Sequence, residues 1–115
     1  MSSSKMTFCV LPCDSWGACG MVMAMLQGSA KHMIEKVYCG VMNKHAPCVD
    51  MLKEFDQVHI FEYSQDHMGE VEKCMKQADS VILYPMHAGH QGEQQHGYEW
   101  MMKLWKQYLE MAQKA

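Results

Sequence analysis

Arginine is absent from this 115-residue chain, and all ten basic residues are lysines. Because only a guanidinium grips an anion through two parallel hydrogen bonds, phosphate sites that depend on such a clamp are excluded. The formal net charge is −3. No basic cluster interrupts this acidic balance, which argues against a nucleic-acid binder.

Long apolar runs are missing as well, since none approaches the ~20 residues of a membrane-spanning helix. Residues 1–5 precede no long apolar stretch, so we expect no secretory signal and a cytoplasmic location. Six cysteines occur without a C-x-x-C pair, so neither a dithiol redox motif nor a zinc knuckle is indicated. We expect most of these thiols to be free and buried.

Threonine and asparagine occur once each, whereas methionine occurs fourteen times. Such a bias is compatible with an unusual genome and also with a designed sequence that has no function. At 49% apolar and 20% charged residues, the chain is expected to be globular rather than disordered.

Apolar runs alternate with helical periods along the chain. Continuous runs at 6–11, 37–42 and 80–84 predict strands buried on both faces, and 58–63, interrupted by His59 and Glu62, predicts a strand nearer an edge. Apolar residues spaced three and four apart predict four helices. The first runs from after Gly20 to Met33, the second starts at Pro47, and the last two span 68–78 and 98–112. We therefore expect a single three-layer α/β domain over 1–115 with residues 1–5 disordered. The predicted sheet is parallel and four-stranded, in the order 2-1-3-4.

Ligands of such sheets bind beyond the carboxyl ends of the strands, which directs attention to the segment after the first strand. The residues that follow Pro12 are Cys13, Asp14, Ser15, Trp16, Gly17, Ala18, Cys19 and Gly20. A loop here sets a thiol beside backbone N–H groups and a helix N-terminus, which stabilise a thiolate or a phosphate on sulfur and lower a cysteine pKa. A tight turn with an incidental cysteine is the alternative. The phosphate loop of low-molecular-weight tyrosine phosphatases is excluded, because it needs an arginine.

The segment from Cys13 to Leu26 resembles the active-site loop and first helix of enzyme IIB components of the bacterial sugar phosphotransferase system, lactose/cellobiose class. Residues 50–58 resemble the family's helix that runs into its third strand, and residues 68–71 resemble the helix after that strand. The resemblance implies a flavodoxin-like architecture without a cofactor. It also implies that Cys13 accepts phosphate from a IIA partner and passes it to a sugar held by a membrane-embedded IIC partner. Residues 14–20 would then hold the phosphate by backbone N–H, although Asp14 and Trp16 depart from the family pattern.

Three other interpretations stay open. Histidines in the loop after the fourth strand, His87, His90 and His96, could bind a metal together with a thiolate, although their spacing matches no recognised ligand set. Aromatic rings of Trp16, Tyr84 and Tyr98 could flank a flavin, although the loop after the first strand has fewer hydroxyls than flavodoxins use to hold the flavin phosphate. The third interpretation is a designed or redesigned α/β scaffold with no activity.

Overall fold

The computed structural model describes residues 5–84 and 91–114. Its strands are β1 (Met6–Leu11), β2 (Ile34–Val41), β3 (Val58–Glu62) and β4 (Ser80–Leu83). Its helices are α1 (Trp16–Gln27), α2 (Pro47–Asp50), α3 (Gly69–Gln77) and α4 (Gln91–Lys114). The predicted disorder of residues 1–5 concerns mainly residues 1–4, which lie outside the described residues, and it stays a prediction.

The four strands form one sheet in the order β3-β2-β1-β4, and every pairing is parallel. The predicted α/β class is therefore confirmed, but the predicted order 2-1-3-4 is wrong. Placing β3 beside β2 keeps the exposed His59 and Glu62 at an edge, as their polarity predicted. The observed order is that of the first four strands of the dinucleotide-binding fold, whereas flavodoxin-like sheets begin 2-1-3-4.

Two hydrophobic clusters separate the layers of the domain. Val10 of β1 packs with residues of α1 and α2 on one face, while Cys9 and Leu11 pack with α3 and α4 on the other. This alternation follows from the period of two along a strand. Burial of each large apolar side chain contributes about 1.5–3 kcal/mol, so both faces of the sheet stabilise the fold.

Several element ends differ from the sequence prediction. Helix α1 begins at Trp16 instead of after Gly20, because the Ser15 side chain accepts a hydrogen bond from the Ala18 N–H and caps the helix. Helix α1 ends at Gln27 and not at Met33. Strand β2 begins at Ile34, three residues earlier than predicted and directly after a 3-10 turn. Helix α2 starts at Pro47 as predicted but is a single turn, and a 3-10 turn over Met51–Glu54 follows it.

Strand β4 is the other edge of the sheet, and all four of its residues are half-buried. Both of its faces are covered, as the apolar run predicted, because Ile82 packs on one hydrophobic cluster and Val81 and Leu83 pack on the other. The burial is partial because no described strand pairs with the outer edge of β4. Within the described residues, no helix is both long enough and apolar enough to cross a lipid bilayer.

Candidate functional site

The carboxyl edge between β1 and β4 is the point where the chain leaves the sheet in two directions. Helix α1 follows β1 and packs on one face, while α4 follows β4 and packs on the other. Tyr84, just after β4, donates its backbone N–H to the Leu11 carbonyl at 2.7 Å. The segments that follow both strands therefore start side by side, at a switch point of the kind where open parallel sheets bind ligands.

Cys13 lies at this edge, but its side chain points into the core and has no exposed area. Its N–H donates to the Gly40 carbonyl at 2.8 Å, and its carbonyl accepts from the Cys19 thiol at 3.3 Å. The Cys19 contact lowers the pKa of the Cys13 thiol, but contact with Cys39, burial and the Asp14 charge outweigh it and raise that pKa. The predicted lowering is therefore wrong, and the thiol is protonated at neutral pH.

Cys13, Cys19, Cys39 and Cys48 belong to the same buried cluster, and all are free thiols. Contact with Cys13 and burial raise the pKa of Cys19, although contact with Cys48 lowers it. Buried thiols with raised pKa values are poor nucleophiles. Among the described residues, no three cysteine, histidine or acidic side chains are grouped so that they could hold a metal ion.

Asp14 ties the connection after β1 to the end of β2. Its Oδ2 accepts hydrogen bonds from the backbone N–H groups of Met42 at 2.8 Å and Asn43 at 3.0 Å. Hydrogen bonds to an ionised carboxylate are stronger than those between neutral groups. The carboxylate that departed from the IIB-like pattern thus fixes the shape of the edge.

Trp16 and Gly17, in the first turn of α1, are exposed. Ser15 satisfies the N–H groups of Ala18 and Cys19, through its hydroxyl at 3.2 Å and its carbonyl at 2.9 Å. Trp16 and Gly17 precede them, and no hydrogen bond from their N–H groups is found within residues 5–84 and 91–114. Such N–H groups at a helix N-terminus can donate to an anion.

Tyr84 lies directly against this turn. A Cβ added at Gly17 would meet the Tyr84 hydroxyl and would lie 2.9 Å from its Cζ atom, so only glycine permits this contact. The Trp16 side chain, 63% exposed, stands on the same turn. The edge therefore combines hydrogen-bond donors with an exposed aromatic ring.

The predicted phosphate-binding segment 14–20 is only partly a loop. Residues Trp16 to Gly20 are helical, and the buried Ala18 and Cys19 face the core. Of the other candidates, His87 and His90 lie outside the described residues, as do the side chains of His96 and Tyr98. Whether any of these residues binds phosphate or metal stays a prediction.

Sequence reasoning missed the packing of Tyr84 on Gly17. The available signal was the spacing of Gly17 and Gly20, which matches the last two glycines of G-x-G-x-x-G. In that motif, the middle glycine lets the backbone approach a neighbouring group closely. Two glycines alone are a weak signal, and the first position of the motif is Ser15.

Comparison of the chain with protein-family models, with curated proteins and with solved structures finds no match. The resemblance to IIB components therefore stays a prediction from the sequence around Cys13.

Proposed function

We propose that this chain binds the phosphate group of a small ligand at the carboxyl edge between β1 and β4. One observation carries the proposal: the Tyr84 hydroxyl lies against Gly17 in the first turn of α1. A tyrosine hydroxyl and helix N–H groups are donors, and phosphate oxygens accept such hydrogen bonds. The strand order adds support, because open parallel sheets bind ligands at such a switch point.

The charges near this edge favour weak binding. The first turn of α1 has no acidic residue, so nothing in that turn offsets the positive end of the helix dipole. The Asp14 carboxylate opposes an incoming anion, although two backbone N–H groups partly neutralise it. Since backbone and hydroxyl donors bind without an arginine, we expect a dissociation constant for inorganic phosphate on the order of millimolar.

Removal of one hydroxyl tests this binding site. Tyr84→Phe keeps the ring against Gly17 but removes the donor, so phosphate should bind about tenfold more weakly in a calorimetric titration. Tyr38→Phe is the matched control, since Tyr38 is another half-buried tyrosine and lies on β2. Equal affinities for the two variants would contradict the proposal.

Phosphoryl transfer through Cys13 is the finer form of this function, and it rests on the resemblance to IIB components. The S–P bond would form as the N–P bond of a IIA phosphohistidine breaks, and the released histidine nitrogen would take up the proton that the thiol gives up. Because Cys13 is fully buried with a raised pKa, such transfer requires residues 12–15 to open. Passage of the phosphate to a sugar on a membrane-embedded IIC partner would suit a cytoplasmic location.

A reconstituted relay tests the carrier function. Wild type or Cys13→Ser would be mixed with phosphoenolpyruvate, the general carrier proteins and a lactose/cellobiose-class IIA. Intact-protein mass spectrometry would then measure the phosphate bound to each protein. One phosphate on wild type and none on the variant is the expected result. Phosphate on both proteins would exclude Cys13 as the acceptor. No phosphate on either protein would favour a noncovalent binding domain or, if phosphate also fails to bind, a scaffold without activity.

Flavin mononucleotide is the second candidate ligand, and the exposed ring of Trp16 favours it. Its phosphate would bind at the first turn of α1 while its planar ring stacks on Trp16, which is 63% exposed. Flavin fluorescence should be quenched on binding, and Trp16→Phe should weaken this quenching more than Trp105→Phe does. Trp105 is the matched control, because it packs edge-on against Tyr108 in the cluster that contains Cys9 and Leu11, on the opposite face of the sheet from α1. No quenching by wild type would remove this candidate.

A further inference from the structure

A concave region lies on the other side of the sheet from α1 and α2. It is a cleft of about 360 Å³ between the β2–β3 half of the sheet and α3. The residues lining it are Tyr38, His59, Ile60, Phe61, Glu70, Lys73, Cys74 and Gln77. Its volume falls at the lower end of the range for small-molecule sites, about 300–1,000 Å³.

The strand order explains why this cleft exists. Helix α3 connects β3 to β4, which lie at opposite edges, so it must cross the sheet. It packs against β1 and α4, in the cluster that contains Cys9 and Leu11. The aromatic side chains of β2 and β3 are therefore left partly uncovered beside it.

The floor of the cleft is aromatic. The rings of Tyr38 and His59 have centroids 5.5 Å apart and are tilted by 46°. Phe61, two residues further along β3, is half-buried and lies on the same floor. Three neighbouring rings suit a small planar ring, which stacks or packs edge-on against them.

The α3 wall of the cleft carries one charge of each sign. Glu70 and Lys73 are three residues apart, so their side chains leave neighbouring turns of the same helix face. Both are exposed, and the ion pairs found among the described residues, Lys44–Glu62 and Lys53–Asp50, involve neither of them. A ligand in the cleft therefore meets an ammonium and a carboxylate together.

We propose that this cleft binds a small aromatic zwitterion, of the chemical class of a free aromatic amino acid. Its ring would lie on Tyr38, His59 and Phe61, its carboxylate near Lys73 and its ammonium near Glu70. A simple aromatic carboxylate fits less well, because Glu70 would repel it, and an aromatic amine meets the same problem at Lys73. This site lies on the opposite face from α1 and is independent of the phosphate site.

The test uses L-phenylalanine as the probe, with 3-phenylpropionate and 2-phenylethylamine as analogues that each lack one charge. Amide shifts of the ¹⁵N-labelled protein should report millimolar binding of L-phenylalanine at Tyr38, His59 and Phe61 and weaker binding of both analogues. Glu70→Gln and Lys73→Gln should each weaken binding about three- to fivefold, the upper range for an exposed ion pair. Glu72→Gln and Lys76→Gln are matched controls, since these exposed residues of α3 do not line the cleft.

Three results would overturn the proposal. They are no shift in the cleft at about 10 mM probe, equal affinity for the three compounds, and equal losses in the test and control variants. Inorganic phosphate should not displace L-phenylalanine, and displacement would contradict two separate sites. Because the substituted side chains are exposed, the far-UV circular dichroism of all four variants should match that of wild type.

Discussion

Asp14 links the segment after β1 to the segment after β2 through a single carboxylate, and the link can be weakened without changing the size of the side chain. Asp14→Asn replaces charge-assisted hydrogen bonds to Met42 and Asn43 with weaker ones and should lower the free energy of unfolding by about 1–2 kcal/mol. Urea unfolding measures this loss. Asp56→Asn, at an exposed residue with no side-chain hydrogen bond found in the described part of the chain, should change stability by less than about 0.5 kcal/mol.

Two glycines of α1 differ sharply in their surroundings. Nothing lies within 4 Å of a Cβ added at Gly20, so Gly20→Ala should stabilise the helix by up to about 1 kcal/mol. Gly17→Ala would push against the Tyr84 ring and should leave the protein about 1–3 kcal/mol less stable than Gly20→Ala. Denaturant midpoints compare the pair, and equal midpoints would mean that Tyr84 does not hold its position on α1.

Buried thiols make stability depend on alkaline pH. Burial raises the pKa of Cys9 and of Cys48 from 9.0 to about 12 in each case, with nearby Cys74 and Cys19, respectively, adding to the shift. The unfolded chain therefore releases these protons first, so their contribution is fully present below pH 9 and is lost as the pH rises from 9 toward 12. Each such thiol steepens the decline of the free energy of unfolding with pH by at most about 1.4 kcal/mol per pH unit.

Urea midpoints at pH 8 and pH 10.5 measure this decline. Cys9→Ala should show a shallower decline than wild type, and an unchanged midpoint across this interval would contradict the account.

That these thiols are free and buried could be predicted from composition. The depth of Cys13 could not, because a strand-ending cysteine turns toward the core or toward solvent according to the local twist of the chain.

At the scale of the element, the position where α1 begins depends on the side chain of Ser15. Ser15 is the N-cap, and Ser15→Ala should cost about 1 kcal/mol by removing the bond to Ala18. Ser29→Ala is the control, because Ser29 is exposed in the turn after α1. Thermal unfolding of both variants measures the difference, and equal melting temperatures would mean that the cap contributes nothing.

The elements that apolar runs define were predictable, and β1 matches its prediction at both ends. The start of α1 was not, because Gly17 and Gly20 indicate a loop while Ser15 indicates a cap. The cap prevails since glycine in a first turn costs a helix little, and Gly17 there gives Tyr84 its place. The length of α2 was also missed, because Pro47 marks where a helix starts and not where it ends.

At the scale of the whole molecule, the layers follow from the alternation of strands and helices, whereas the strand order does not. An apolar run such as β4 fits any position in a sheet, and only the polar His59 and Glu62 mark their strand as an edge. The order matters because it sets the switch point between β1 and β4. There it brings Tyr84 to Cys13 and the first turn of α1, which are distant from it in sequence.

The central claim is that phosphate binds at this edge, and a titration that locates the bound anion tests it most directly. The ¹⁵N-labelled protein would be titrated with inorganic phosphate at constant ionic strength, with chloride as the control anion, while every amide is followed by NMR. The account predicts saturable shifts largest at the amides of Trp16 and Gly17, absent with chloride and reduced in Tyr84→Phe. Shifts centred elsewhere, or none up to about 50 mM phosphate, would contradict it.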